Sequence, residues 1–219
     1  MDIGIGLDPT LRLDIEQQKE MSREAARLGY QSIWTPEVPG QMDSYQVCLM
    51  RWAASNEIVD GGLETGIAVS PVMWRTPMAF AMTGGTVSHM TGGKFIMGIG
   101  AGGAYRPDVR RTIGLPKMSA LSLMRDYISI IKELVNEGKT DYEGDVGIMK
   151  GGRMSINPLP KTPVYLGALG PKMLQLAGEL ADGAALNWCA PEQVAWSRDR
   201  IAEGAEKVGR DPSEIKVSE

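Results

Sequence analysis

The stretch GGKFIMGIGAGG, residues 92–103, decides how the rest of the sequence is interpreted. Within it, Gly98, Gly100 and Gly103 follow the G-x-G-x-x-G spacing found in dinucleotide-binding proteins. That fingerprint requires a strand before the glycines and a helix that begins on them, so that backbone N–H groups meet a pyrophosphate. The sequence around the glycines therefore has to be tested for both elements.

The context supplies the strand but not the helix. Residues 94–97 (KFIM) are short, apolar and β-friendly, whereas residues 104–108 (AYRPD) are typical of a loop. Asp126, the acid at about the right distance, falls inside a helical pattern. The context therefore disfavours a Rossmann turn, and we expect the glycines to let the backbone approach a ligand closely after a strand.

Outward from this stretch, strand patterns and helix patterns alternate with a period of about 30 residues, which is the βα unit of a parallel sheet. Residues typical of helix ends support these helices: Asp14 precedes the first, Gly29 follows it, and Gly138 follows the long fourth one. The predicted strands are residues 3–7, 31–35, 64–69, 95–99, 164–167, 183–186 and 215–217. The predicted helices are residues 15–28, 43–56, 77–90 and 121–135, one beginning at 171, and 192–208.

The alternation fits either an open doubly wound sheet or a closed (β/α)8 barrel, and the pattern alone leaves both open. Residues 139–161 interrupt it as a polar, Gly-rich stretch, which predicts a hairpin insertion into a single domain covering residues 1–219. If the fold is a barrel, the chain ends in its seventh strand. We then expect the exposed first strand to be covered by a partner chain, as in a homo-oligomer, or by further residues.

Composition excludes several classes of function. Twenty-three Lys and Arg against 27 Asp and Glu give a net charge of −4, with no basic run that would favour nucleic acid. Cys48 and Cys189 form no metal or redox spacing, which favours a reduced, cytoplasmic protein. We predict no signal peptide, and no apolar run approaches the ~20 residues of a membrane span.

Four stretches resemble, in order and spacing, the bacterial-luciferase-like superfamily of flavin and deazaflavin (F420) oxidoreductases. They are GYQSIWTPE, LETGIAVSPVMWRTP, GGKFIMGIGAGG and TPVYLGALGPKMLQLAGELADGAALNW. The last, with IAEGAEKVGRDPSEI after it, is especially similar to the F420-dependent methylenetetrahydromethanopterin reductases. This resemblance implies a (β/α)8 TIM barrel with a helical and hairpin insertion, and a site at the carboxyl ends of its strands.

The resemblance also implies where the cofactor binds: F420, or FMN as the alternative. The loop after the fourth strand lies against the deazaflavin, a non-prolyl cis peptide buttresses the ring at the end of strand three, and the GALGP loop holds the phosphate. A helix that begins at Pro171 suits this, because free N–H groups and the helix dipole favour an anion. The matching positions are Ala101, Gly102, Gly103, Gly66, Ile67, Ala168, Leu169, Gly170 and Asn187, with the cis bond expected between Gly66 and Ile67.

Glu37 matches a family carboxylate near the cofactor, where it orients the ring or relays a proton. Substrate-pocket residues are expected just past the strands: Met73, Trp74, Tyr105 and Trp188. The family pattern fails where methanopterin reductases carry acids, because this sequence has Gly6 and Gly103 there. It has Val38 where a histidine is frequent, and His89, its one histidine, is placed as a structural residue at a helix end.

These implications together predict an F420-dependent oxidoreductase that moves a hydride between the deazaflavin and a small organic, pterin-like substrate. Hydride transfer needs no protein base, because the cofactor carries the chemistry. An FMN-dependent monooxygenase of the same superfamily is the alternative enzyme. A non-catalytic flavin- or F420-binding relative is the alternative from another class, and the two missing carboxylates support it.

Overall fold

The computed structural model of the protein describes residues 2–159 and 161–219 and has a βα architecture. Its strands are β1 (Gly4–Gly6), β2 (Ser32–Thr35), β3 (Glu64–Ile67), β4 (Ser70–Pro71), β5 (Phe95–Gly100), β6 (Lys139–Glu143), β7 (Ile148–Arg153), β8 (Val164–Gly167), β9 (Gly183–Ala185) and β10 (Lys216–Ser218). Its α-helices are α1 (Ile15–Arg27), α2 (Ser44–Asn56), α3 (Pro77–Met90), α4 (Pro107–Thr112), α5 (Ala120–Glu137), α6 (Pro171–Leu180) and α7 (Pro191–Lys207).

The order of strands in the main sheet distinguishes between the two predicted architectures. The sheet runs β1-β2-β3-β5-β8-β9-β10, all parallel, and the two-residue β4 pairs with the end of β5. A doubly wound sheet reverses its strand order at a switch point, whereas this sheet follows the chain without a reversal. The fold is therefore the barrel type. Among the described residues, β1 and β10 each pair with one neighbouring strand.

Helix ends agree closely with the sequence signals. Asp14 caps α1 and forms a reciprocal capping box with Gln17, and Asp43 and Ser119 accept hydrogen bonds at the starts of α2 and α5. Gly138 ends α5 in the left-handed conformation with φ 73°. Each side-chain cap satisfies backbone donors that the first turn leaves unpaired, which is worth ~1 kcal/mol.

The main core lies between the sheet and helices α2, α3, α5, α6 and α7. From α5 it takes the side chains at helical spacing that the sequence predicts, including Met124, Ile128 and Ile131, each fully buried. A smaller cluster under α1 contains Leu7, Ala25, Ile33 and Leu63. Within the described ranges, no helix is both long and apolar enough to cross a bilayer.

The predicted insertion is an antiparallel hairpin, β6 paired with β7, docked on α5. Its anchor is Asp126, which is 2% exposed and accepts hydrogen bonds from the Tyr142 hydroxyl (2.9 Å) and the backbone N–H groups of Val146 (2.7 Å) and Gly147 (2.8 Å). The acid at the dinucleotide-fingerprint distance is thus a structural anchor. Three hydrogen bonds to a buried carboxylate also explain how it is tolerated away from water.

Two sequence-based expectations need correction. The stretch predicted as a loop after Gly103 contains the start of the short helix α4, which spans six residues, begins at a proline and has no side-chain cap. The predicted cis bond between Gly66 and Ile67 is wrong: that bond is trans and lies within the regular pairing of β3 with β2. The non-prolyl cis peptide lies between Ala68 and Val69 instead.

Candidate functional site

The carboxyl ends of the parallel strands bring most of the predicted site residues to one edge of the sheet. Glu37 follows β2, the loop 101–103 follows β5, residues 168–170 follow β8, and Asn187 follows β9. His89 lies in the last turn of α3, directly before β5 begins, and therefore at the opposite edge. This arrangement agrees with the prediction that His89 has a structural role.

The glycines of the opening stretch face the neighbouring segment 67–71. A Cβ added to Gly98 would lie 1.8 Å from the carbonyl oxygen of Ile67, and one added to Gly100 would lie 2.5 Å from Val69 Cγ2. A Cβ on Gly102 would lie 2.3 Å from Pro71 Cβ. These distances are too short for real contacts. The three glycines therefore allow β5 and the loop after it to pack against segment 67–71, which joins β3 to β4. The sequence predicts a close approach to a ligand, whereas the close approach in the structure is to this segment of the chain.

Gly66 and Ile67 lie deeper than the sequence suggested. A Cβ on Gly66 would lie 2.3 Å from the ring of Trp34, and Ile67 is completely buried. The glycine therefore makes room for an indole on the adjacent strand. Whether either residue contacts a cofactor stays a prediction.

An arginine that the sequence reasoning missed holds Glu37. Arg75 donates to Glu37 Oε2 (2.6 Å) and to Asp43 Oδ2 (2.5 Å), and the Ser70 hydroxyl also donates to Glu37 Oε2. The Glu37 side chain is 11% exposed, and its Oε1 has no hydrogen bond within the described part of the chain. One carboxylate oxygen is thus fixed by the protein, and the other remains available as an acceptor.

The arginine itself sits over aromatic rings. Its guanidinium carbon lies 4.8 Å from the Tyr45 ring centroid and 5.8 Å from that of Phe80. Burial alone would lower the pKa of Arg75, but the hydrogen bond and negative charge of Glu37 raise it overall, so the side chain stays cationic. The only sequence signal was the WRTP stretch just past strand three, and its pairing with Glu37 spans 38 residues.

The amino end of α6 is open and lacks a side-chain cap. Gly170 occupies the N-cap position with φ −92°, and a Cβ added to it would meet nothing within 4 Å. Leu169 beside it is 56% exposed, and Lys172 in the first turn is also exposed. The N–H of Ala168, in contrast, donates to the carbonyl of Ala185 at 3.2 Å and is already used by the sheet. Within the described part of the chain, the N–H groups left free at this helix end are therefore those of Leu169, Gly170 and Lys172.

The predicted substrate-pocket residues differ in exposure. Trp188 is 94% exposed and has a left-handed backbone with φ 49°, while Tyr105 is 67% and Trp74 41% exposed. Met73 is half-buried and packs against the main core. Two acids in neighbouring loops, Asp8 and Asp108, are exposed, and Asp108 is paired with Arg106 at 2.6 Å.

Two cavities lie at this edge, and the loop 38–42 borders both. The first, of about 240 Å³, is lined by the loops after β1 and β2 together with Gln18 and Arg51. The second, of about 280 Å³, is lined by Glu37, Val38, Pro39, Gly40, Gln41, Met42, Asp43, Trp74 and Arg75. Glu37 therefore lines the second cavity, which is separate from the cavity beside Arg51.

The strand order and the position of these side chains define a βα-barrel protein with its candidate site at the carboxyl ends of the strands. Residues 3–218 match the family model described as luciferase-like monooxygenase, and the chain belongs to this family.

Three known proteins show how far the similarity extends. The chain is 28% identical over 211 residues to a 5,10-methylenetetrahydromethanopterin reductase of Methanolobus tindarius, covering 96% of this chain and 60% of that one. The structure resembles that of the coenzyme F420-dependent tetrahydromethanopterin reductase from Methanopyrus kandleri, with a TM-score of 0.82, 22% identity, and coverage of 99% and 64%. It also resembles an F420-dependent secondary alcohol dehydrogenase in complex with an F420-acetone adduct, with a TM-score of 0.81, 19% identity, and coverage of 99% and 67%.

The two solved structures show the fold, and the barrel prediction is confirmed. The chain spans about 60% of the length of the methanopterin reductase that it matches.

Proposed function

We propose that this chain provides the cofactor-binding edge of an F420-dependent oxidoreductase that acts on a small organic, pterin-like substrate. The observation that carries the proposal is the uncapped amino end of α6, which lies at the carboxyl edge of a chain similar to an F420-dependent reductase. Bound F420 would supply the hydride chemistry. The protein residues would bind, orient and shield it.

The residues fit such a group. Leu169, Gly170 and Lys172 would hold the phosphate through their free N–H groups, aided by the helix dipole, and the side chain of Asn187 is exposed nearby along the strand ends. The loop 101–103 would lie against the flat ring, as the family resemblance implies. Glu37 Oε1 would accept a hydrogen bond from the ring or from a protonated substrate, because Arg75 and Ser70 fix the rest of the carboxylate.

The remaining predicted site residues would line a pocket for the substrate. Trp188, Tyr105 and Trp74 offer exposed aromatic faces for a planar molecule, and the half-buried Met73 would complete the pocket lining.

We also propose that residues 1–219 act as one domain. The exposed β1 edge, with Ile3 56% exposed, would pair with another copy of the chain or with further residues, which light scattering on the purified chain would address.

A spectroscopic titration tests the cofactor. We expect F420 to bind saturably and more tightly than FMN, and bound F420 to be reduced by a suitable donor in a single turnover. FMN is the alternative, because its phosphate would use the same helix end. Tighter FMN binding would favour the monooxygenase, binding without reduction would favour a non-catalytic relative, and binding of neither would refute the proposal.

Replacing Glu37 by glutamine is expected to reduce turnover at least tenfold while F420 affinity stays within about threefold. The amide keeps the shape of the side chain but removes the charge that would accept a proton or polarise the ring. Because Arg75 keeps Asp43 as a partner, the stability loss should be only about 1–2 kcal/mol. Steady-state turnover and thermal unfolding measure the two effects.

Asp43→Asn is the matched control. It removes the other carboxylate of Arg75 but leaves Glu37 and the α2 cap in place, because asparagine caps helices about as well as aspartate. A similar stability loss with turnover close to that of the parent is expected. Unchanged turnover in Glu37→Gln would reduce Glu37 to a structural partner of Arg75.

A further inference from the structure

A buried arginine without a carboxylate partner lines the first cavity at the carboxyl edge. Arg51 on α2 is 4% exposed, and within the described part of the chain no ion pair reaches it. Its guanidinium donates to the backbone carbonyls of Trp34 (3.2 Å) and Leu7 (3.4 Å) and to Gln18 Oε1 (2.9 Å). Arg51 thus ties together the ends of β1 and β2.

These three acceptors are neutral and leave the arginine incompletely satisfied. A guanidinium has five N–H donors, and three bonds leave two unused, one of which is the buried Nε–H. Burial lowers the pKa of Arg51, but an arginine stays protonated at neutral pH. Burying a charge without a counter-charge lowers the stability of the fold, and a hydrophobic side chain at this position would not carry that free-energy cost. An anion in the cavity would remove that cost.

The cavity lining carries a net positive charge. Its charged members are Arg51, the exposed Arg12 and Asp8, which give two positive charges against one negative. The Asp8 carboxylate is hydrogen-bonded within its own loop, since its Oδ1 accepts the N–H of Thr10 at 2.8 Å. Hydrogen bonding to Thr10 lowers the pKa of Asp8. Gln18 and Gln41 are the neutral polar side chains with amide groups in the lining.

The volume limits what can bind. About 240 Å³ lies below the ≈300–1,000 Å³ of typical small-molecule pockets, so the cavity suits a small acidic group better than a tricyclic ring. We propose that this cavity binds the carboxylate or phosphate group of a small molecule between Arg51 and Arg12. A planar guanidinium with unused donors is suited to either oxyanion.

NMR observation of the arginine Nε–H signals tests the site without any cofactor. Sodium acetate and sodium phosphate are titrated into the full chain at constant ionic strength, with sodium chloride as the reference. We expect the Arg51 signal, assigned by its loss in Arg51→Met, to shift saturably with at least one of the two anions. Saturation with acetate alone identifies a carboxylate site, with phosphate alone a phosphate site, and with both a general oxyanion site.

Two variants keep the proposal falsifiable if Arg51→Met does not fold. Arg12→Ala, at an exposed position, is expected to weaken anion binding at least threefold. Arg27→Ala removes an exposed arginine of α1 outside the cavity and should leave the affinity unchanged. No saturable shift with either anion, or equal affinity in Arg12→Ala and the parent, would overturn the proposal. Because no F420 is present, neither result depends on the proposed cofactor.

Discussion

Gly98→Ala is expected to destabilise the protein by about 3 kcal/mol or more, the upper part of the range for overpacking a close-packed interior. The new Cβ would lie 1.8 Å from the carbonyl oxygen of Ile67, an atom of the backbone that cannot rotate away as a side chain would. Gly98 also pairs with Tyr165 on β8, so a shift on one side disturbs the pairing on the other. Thermal or denaturant unfolding measures the change.

Gly6→Ala is the matched control. Gly6 is also a strand glycine without a left-handed backbone, but it is exposed, and a Cβ added there meets nothing within 4 Å. Its stability should stay the same or rise by up to about 1 kcal/mol, because alanine restricts the unfolded chain. If Gly98→Ala were as stable as Gly6→Ala, the close approach of β5 to Ile67 would not be what requires glycine at position 98.

This prediction concerns the residues that looked most like a nucleotide motif. The spacing of Gly98, Gly100 and Gly103 shows that a side chain is excluded, but it does not show what excludes it. A ligand phosphate and a neighbouring strand demand the same absence of a Cβ. Only the structure shows that segment 67–71 occupies the space beside Gly98 and Gly100.

Local signals explain why the elements were predictable. Asp14, Asp43 and Gly138 mark helix ends through their own backbone and side-chain chemistry, which acts within a few residues. The barrel itself needed the order of strands in space, which no local pattern contains. The resemblance to a family supplied that information, and the sheet order agrees with it.

The charged contacts at the carboxyl edge were not predictable in the same way. Arg75 reaches Glu37 across 38 residues of sequence, and Arg51 reaches Leu7 across 44. Neither arginine belongs to a motif with fixed spacing, so their roles depend on how distant loops fold together. The sequence identified Glu37 as a carboxylate of interest but not the partners that orient it.

Gly170→Asp is expected to weaken F420 binding by more than tenfold, which is about 1.4 kcal/mol or more. A carboxylate at the N-cap of α6 would accept the N–H groups of the first turn and place a negative charge where the phosphate is proposed to bind. The substitution is sterically tolerated, because Gly170 has an ordinary extended backbone and open space around it. Stability should therefore stay the same or rise by a few tenths of a kcal/mol as the helix gains a cap.

Gly170→Asn separates the two causes of that loss. Asparagine caps helices about as well as aspartate but carries no charge, so it tests competition for the N–H groups alone. We expect its affinity for F420 to lie between those of the parent and Gly170→Asp. The difference between the two variants should shrink as salt is added, because exposed charges are screened over about 10 Å at 0.1 M ionic strength. Equal cofactor affinity in the parent and a correctly folded Gly170→Asp would show that the phosphate does not bind at the amino end of α6, even if F420 binds elsewhere on the carboxyl edge.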